Sequence, residues 1–500
     1  MHLLLVTWWD MAGMLHALDA RAQGKKRPRV VVVGAGLAGL AAAHYLHKNG
    51  FSETLVLEAN DRIGGRVRSV KFGSSLVELG ANWIHGGCLA NPIYQLARIL
   101  DIMENPPEKK REAWNPPTFF TPHGFAIDHD LAKKAGNIFV EKERQMHALY
   151  VDGPDQDSNV TAEEYLDYIL EEEIAREFPK SQRDDAHRIM NAMKNYLAFH
   201  MGDDLKKHSA QLYGTYKEMP GAECVAVPDG LSRIPEYLRS LIPGNKLRLS
   251  TEVCEVAWSE RPLKVHCASG EVIEADHVIV TVSLGILKSR PDLFFPRLPE
   301  SKTEAISRIG FGRVDKIFLE FERPFWVAGE GHIRLGWPDS DFRSRTGKEW
   351  NKYIYSFDEV TNNPNVLVGW LSADGAEMME KDDLKTIKMI CTETLRKFTG
   401  NPLLDPPKNV LASKWASDPC IRGAYSYQPM RKAEGPSDMF TLSQPVPGNI
   451  DPRILFAGEA THPDYFSTMH GAFMSGLREA QRIMDFYAMT GVNGIAVDDT

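Results

Sequence analysis

Residues 29–66, RVVVVGAGLAGLAAAHYLHKNGFSETLVLEANDRIGGR, constrain the fold of this chain more than any other stretch. Val30, Val31, Val32 and Val33 are β-branched and apolar without alternation, the pattern of a strand buried on both faces. Gly34, Gly36 and Gly39 follow as G-x-G-x-x-G, and the alanine-rich run 37–46 predicts a helix ending near Gly50. Residues 54–57 predict a second strand, closed by Glu58. Each residue type has a physical task. Gly34 permits the tight strand-to-helix turn, Gly36 leaves room for a diphosphate against the backbone, and Gly39 lets the helix lie close on the sheet. The helix start offers unpaired N–H groups and a partial positive charge. Glu58, about 20 residues after the loop, is placed to accept from ribose hydroxyls. The glycine motif alone is weak; a strand before it, a helix after it and an acid at the next strand end make it specific for a dinucleotide. DRIGGR at 61–66 adds two glycines beside Arg66, whose guanidinium suits phosphate.

Composition sets the outer limits. A chain of 500 residues with 43% apolar and 25% charged residues is large enough for two domains. Its formal charge of −9 gives no reason to expect nucleic acid as a partner and is compatible with a cationic small molecule. Six scattered cysteines without a C-x-x-C pair read as free thiols, and no metal site is expected. No apolar run reaches 18 residues, so no transmembrane helix is expected. Residues 1–28 form a leader: an apolar run at 3–9 is interrupted by Asp10, and Ala20-Arg21-Ala22 has the form of a cleavage site. The cytoplasm is the expected compartment, with secretion the outcome if the first 22 residues are a signal peptide. The 491–500 tail carries no peroxisomal signal.

Along the chain, Asn91-Pro92 opens a predicted helix over 91–102, and 106–130 reads as a surface segment over a channel. Helical periodicity over 131–205 predicts three helices, the second opened by the capping-box pattern Thr161-x-x-Glu164. A helix is expected within 228–243, then alternating strands of a small sheet at 246–259, 263–268, 271–274 and 277–282. Four strands of a second sheet are expected at 313–321, 332–337, 352–357 and 366–371, then a helix over 381–398 ended by Gly400. Strands at 410–416 and 453–456 and a closing helix at 471–489 complete the prediction.

ELGANW at 78–83 and FAGEAT at 456–461, together with the glycine loop and DRIGGR, resemble the flavin amine oxidases. The resemblance covers about residues 29–488 and is nearest to the animal polyamine oxidase group, the N1-acetylpolyamine and spermine oxidases. It implies an α/β fold: an FAD-binding Rossmann-like domain of the glutathione-reductase type with an interleaved α+β substrate domain. The boundaries are then 29–90, 225–290 and 405–490 for the first domain, with 91–224 and 291–404 for the second. It also implies FAD contacts from Gly34, Gly36, Leu37, Ala38, Gly39, Glu58, Ala59, Gly65, Arg66, Gly80, Ala81, Asn82, Trp83, Val253, Trp415, Gly458, Glu459, Thr468 and Met469. Val253 stands where adenine meets backbone, Trp415 packs on the flavin, and Glu459 accepts from the ribityl or pyrophosphate side.

The chemistry implied is removal of hydride from the carbon beside an amine nitrogen, followed by hydrolysis of the iminium and reduction of O₂ to H₂O₂. By periodicity Lys316 reads as a surface lysine on a strand; the resemblance of GFGRVDKIFLEF at 310–321 makes it the lysine that holds a water at the flavin. His85, in NWIHG, resembles the active-site histidine of animal polyamine oxidases. Tyr425, in RGAYSY, matches the aromatic ring beside the substrate amine. In YFSTMHGA, Ser467 and Thr468 stand where monoamine oxidases have the second ring, which argues against that branch. Ala424 replaces their flavin-linked cysteine, so non-covalent FAD is expected. Glu218 and Glu223 flank a turn that faces the channel in relatives and are candidates for the far end of a polycation. The expected partners are a polyamine and O₂, and the expected state a monomer or weak homodimer. Two alternatives are an oxidase of another amine or amino acid and a catalytically silent FAD-fold binding protein. The first lacks an arginine clamp for a carboxylate, and intact Lys316 and His85 argue against the second.

Overall fold

The computed structural model describes residues 27–103, 117–151, 159–345, 349–430 and 436–490. Most of the leader, the 491–500 tail and residues 106–116 of the predicted surface segment lie outside the described residues. Strand β1 (Val30–Val33), helix α1 (Leu37–Lys48) and strand β2 (Thr54–Leu57) form a parallel strand–helix–strand unit. All four valines of β1 are buried: Val30 and Val32 face α1, while Val31 and Val33 face a second core on the other side. That two-sided burial is why the run does not alternate.

β1 lies inside a six-stranded sheet in the order Val446–Gly448, Asp451–Phe456, His277–Val280, β1, β2, Leu247–Arg248. Every pairing is parallel except that of the Val446–Gly448 edge. His277–Val280 and Leu247–Arg248 were expected in the small sheet and are found in this one instead. Alternation separates strand from helix but does not choose a partner, and four consecutive buried residues mark His277–Val280 as an interior strand. The small sheet consists of Val272–Ala275, Leu263–Cys267, Val253–Ala257 and Phe294–Phe295. β3 (Ile84–Gly87) leaves this region as an antiparallel ribbon with Ala222–Val225, with His85 opposite Cys224.

The rest of the chain builds a helical layer on a second sheet, antiparallel except at its Phe119–Phe120 edge. Helices α2 (His129–Val151), α3 (Ala162–Glu177) and α4 (Arg183–Met201) share one apolar core. Both arms of the capping box open α3: Thr161 Oγ1 accepts from Glu164 N, and the Glu164 carboxylate accepts from Thr161 N. The second sheet runs Asn409–Ala412, β4 (Val314–Glu320), β5 (Asn363–Ser372), Ile354–Val360, His332–Leu335, Phe119–Phe120. The 405–490 piece is therefore shared, because Asn409–Ala412 pairs with β4 while the Asp451–Phe456 strand joins the parallel sheet. The helix expected over 381–398 begins at Leu384, capped by Asp383, and ends at Gly400 with φ +64°. A separate helix, Ala373–Glu380, precedes it.

The closing helix α5 (Met469–Thr490) lies across α1. The crossing depends on Gly476, where an added Cβ would stand 2.1 Å from Ala38 O.

Candidate active site

One cavity of about 990 Å³ extends from the C-terminal ends of β1 and β2 to the antiparallel sheet and α2. Apart from Gly39 and Glu223, each site residue expected from the sequence lines it. Gly39 acts in packing, since a Cβ there would fall 2.0 Å from Gly34 O. The side chain of Glu223 lies outside the described residues.

The nucleotide end fits a dinucleotide. α1 begins at Gly36 without a side-chain cap, and an added Cβ at Gly36 meets no atom within 4 Å, so this helix start opens onto free space. Gly34 holds φ +109° where the strand turns into the helix. Glu58 accepts from Ala35 N at 2.7 Å and from Asn60 N at 2.9 Å, which fixes its carboxylate at the loop. Gly65, beside Gly36, completes the cradle.

Lys316 stands in the middle of β4 and is 4% exposed, so its ammonium is inside the protein and not on the surface that periodicity suggests. Its Nζ donates to Glu78 O at 2.6 Å, Gly80 O at 2.7 Å and Asn82 Oδ1 at 2.8 Å, and lies 5.1 Å from the Trp370 ring centre. Burial pulls its pKa down to about 7, opposed by the charge of Glu78. Trp415 donates from Nε1 to Leu79 O at 2.9 Å, bracing the same turn.

Aromatic rings wall the chamber. Trp83 stacks on Trp370 at 5.4 Å between centres, and Phe199 meets Trp370 edge-on at 5.3 Å. The Tyr425 hydroxyl donates to Phe199 O, fixing that ring on the wall. His85 Nδ1 lies 3.8 Å from Cys224 Sγ. The neighbouring imidazoles are held neutral at pH 7: burial, then the nearby His85, pulls His200 and His470 each down to about 4.

At the far end Glu143 accepts from the Tyr213 hydroxyl, and burial followed by the Glu143 charge pushes that phenol well up. Glu218, exposed at the same end, contributes after burial to raising Tyr216 to about 12. Trp370, Tyr196, Phe199, His200, Glu143 and Tyr213 were not singled out in the sequence. Helix or strand periodicity assigns the first five to a core or a solvated face, and Tyr213 lies outside every predicted element.

Three of the expected residues are also tied to the protein itself. Glu459, expected to accept from the cofactor, accepts within the protein from Arg66 Nη1 at 2.8 Å, Ser426 Oγ at 2.5 Å and Ser467 N at 2.8 Å. Ser467, at φ +67°, turns its hydroxyl to Ser426 O. Thr468 Oγ1 donates to Tyr465 O and accepts from Gly471 N, which caps the start of α5. Among the described residues no group of three or more metal-ligating side chains occurs, and no helix is long and apolar enough to cross a membrane.

A dinucleotide cradle opening directly into a chamber of aromatic rings around a buried lysine defines a nucleotide-dependent redox enzyme. The family model described as flavin containing amine oxidoreductase matches residues 37–484, and the chain belongs to that family, whose cofactor is FAD. It is 33% identical to the human peroxisomal N(1)-acetyl-spermine/spermidine oxidase over 92% of this chain and 96% of the human protein. It is 32% identical to polyamine oxidase 1 of Oryza sativa subsp. japonica, covering 92% of this chain and 98% of that one. It is also 28% identical to the probable polyamine oxidase 5 of Arabidopsis thaliana, over 92% of this chain and 99% of the relative.

Proposed function

We propose that this amine oxidase acts on linear polyamines, oxidising the carbon beside a secondary amine to give an aminoaldehyde, a shorter polyamine and H₂O₂. The observation that carries the reading is the charge layout of the cavity: a buried lysine and neutral imidazoles at the centre, with Glu143 and Glu218 at the far end. Carboxylates there suit the remaining ammonium groups of a polycation, and a dry centre suits an amine that must react neutral.

Bound FAD would supply the hydride acceptor and the link to O₂, held without a covalent bond because Ala424 offers no thiol. The chain's own residues do the remainder. The α1 start, Gly36 and Arg66 take the diphosphate, and Glu58 takes the ribose. Trp83, Trp370 and Tyr425 orient the amine and exclude water. His85 faces the reacting nitrogen and Lys316 handles a proton at its Nζ. The same reading assigns residues 29–90 and 225–290, with the Asp451–Phe456 strand and α5, to a cofactor domain of the glutathione-reductase type, and the antiparallel sheet with α2–α4 to a substrate domain.

The test is anaerobic stopped-flow reduction of the bound flavin by spermine, spermidine, N1-acetylspermine, benzylamine and leucine. Rapid bleaching by a polyamine, and not by benzylamine or leucine, is expected. Bleaching by leucine alone would move the chain to amino acid oxidation, and a loaded flavin that no amine bleaches would overturn the proposal.

A further inference from the structure

We propose that Asn82 is a positioning residue whose side-chain amide works in two directions, so that Lys316 can gain and lose its proton inside the closed site. The inference rests on the assignment of Lys316 to the reaction.

The geometry is that of a filled coordination shell. A lysine ammonium carries three N–H bonds and no acceptor. Those of Lys316 are all placed, on Glu78 O, Gly80 O and Asn82 Oδ1. Loss of one proton leaves two N–H bonds and a lone pair facing three oxygens, and a lone pair against an oxygen is an unsatisfied buried contact costing about 1–3 kcal/mol. One of the three partners must turn from acceptor to donor if the neutral amine is to be stable there.

Two of them are fixed. Glu78 O and Gly80 O are main-chain carbonyls in a turn that Leu79 N and Ala81 N tie to Arg68 O and Arg66 O, and Gly80 packs so closely that a Cβ would meet Arg66 O at 1.7 Å. The third is a side-chain amide. Rotation of the Asn82 amide by half a turn exchanges Oδ1 for Nδ2 in the same place, so Asn82 accepts from the ammonium and donates to the amine.

The surrounding charges leave this choice open. Glu78, whose main-chain carbonyl receives Lys316, is also the carboxylate whose charge acts on it; Leu231 N and Ser69 Oγ hold it at 2.7 Å each, and burial pushes it up. Asp315, next to Lys316 on β4, is engaged by Ser413 Oγ and Trp415 N. β5 presents the uncharged Trp370 ring. Burial favours the neutral amine and brings Lys316 to about 7, where both forms are populated at neutral pH.

The test compares wild type, Asn82→Asp and Asn82→Leu as FAD-loaded proteins by NMR titration of ¹³Cε-labelled lysine, with the Lys316 signal assigned by its loss in Lys316→Met. Aspartate accepts but cannot donate and adds charge, so the Lys316 midpoint should rise by at least about one pH unit, a tenfold gain in proton affinity. Leucine takes an acceptor from the ammonium and a donor from the amine alike, so its midpoint should stay within about half a pH unit of wild type. The pH profile of flavin reduction or reoxidation should move with each midpoint. A wild-type midpoint in Asn82→Asp, or in Asn82→Leu a fall of about one pH unit or more, the mark of a residue that only accepts, would overturn the inference if the flavin spectrum is intact. Wild-type turnover by Lys316→Met would instead remove the parent assignment, an outcome that the NMR midpoints do not depend on.

Discussion

Arg66 Nη1 lies 2.8 Å from Glu459 Oε1, a residue 393 positions away in the sequence. Arg66 also donates to Ala424 O, while the second oxygen of Glu459 holds Ser426 and Ser467. A single carboxylate, 5% exposed, thus fastens the DRIGGR loop, the Tyr425 segment and the approach to α5 to one point.

Removing that carboxylate leaves a guanidinium and several N–H and O–H groups without their acceptor. Glu459→Ala should destabilise the apoprotein by about 3 kcal/mol, read by denaturant unfolding. Glu459→Gln keeps the shape and should cost less than half of that. Equal unfolding midpoints for Glu459→Ala and wild type would show that the three segments hold their places independently.

Gly36 and Gly39 should separate binding from folding. Gly36 sits at φ −75° in extended backbone with open space before it, so Gly36→Ala should cost the apoprotein under about 1 kcal/mol while sharply lowering FAD occupancy. Gly39→Ala drives a Cβ onto Gly34 O and should destabilise the fold by about 1–3 kcal/mol or more. Calorimetry of the apoproteins and flavin absorbance of the loaded ones distinguish the two.

His208 predicts an acid limit to stability. It is fully buried, its ring centre 4.1 Å from that of Tyr427, and burial pulls it down to about 3. Between pH 6.5 and about 3 the unfolded chain therefore binds a proton that the native state refuses, so this contribution to stability is lost as pH falls through that window. His208→Phe should lack it. Lowering the pH from 7 to 5 should cost wild type about 2 kcal/mol more than the variant, measured as a difference in unfolding free energies.

For His85→Ala we expect kcat/KM for a polyamine to fall roughly 10²-fold, with a changed pH profile. His200 and His470, near 4, titrate too low to supply a limb between pH 6 and 8. An unchanged profile would reduce His85 to a packing residue of β3.

Glu143→Gln should raise KM for spermine about tenfold, the scale of one charge-assisted hydrogen bond, and leave kcat nearly intact. Competitive inhibition by benzylamine, which has no second cation, should be indifferent to the change. Equal effects on both amines would place Glu143 in the scaffold of α2.

Legibility in the sequence followed the range of the interactions. β1, β2 and the start of α1 were readable to the residue because glycine, valine and Glu58 act within a span of 30 residues. The opening of α3 was equally plain, since a capping box is complete in four. Lys316 needed a family resemblance: on its own strand it looks like any charged residue among apolar neighbours, and only the distant carbonyls of Glu78 and Gly80 make its position a polar pocket. His277–Val280 was recognised as a strand but given the wrong sheet, because its partner Val30–Val33 lies almost 250 residues away. Glu143, on a helix with many charges, carries no local mark of facing inward.

The crossing of α5 on α1 through Gly476 has a consequence in time. The Asp451–Phe456 strand that lies beside His277–Val280, and α5, which lies on α1, are made long after β1. At roughly 5–20 residues per second, between about 20 and 90 seconds separate the emergence of β1 from that of α5. Throughout that interval the outer face of α1 lacks its final cover, and the nascent chain depends on whatever shields it until α5 emerges.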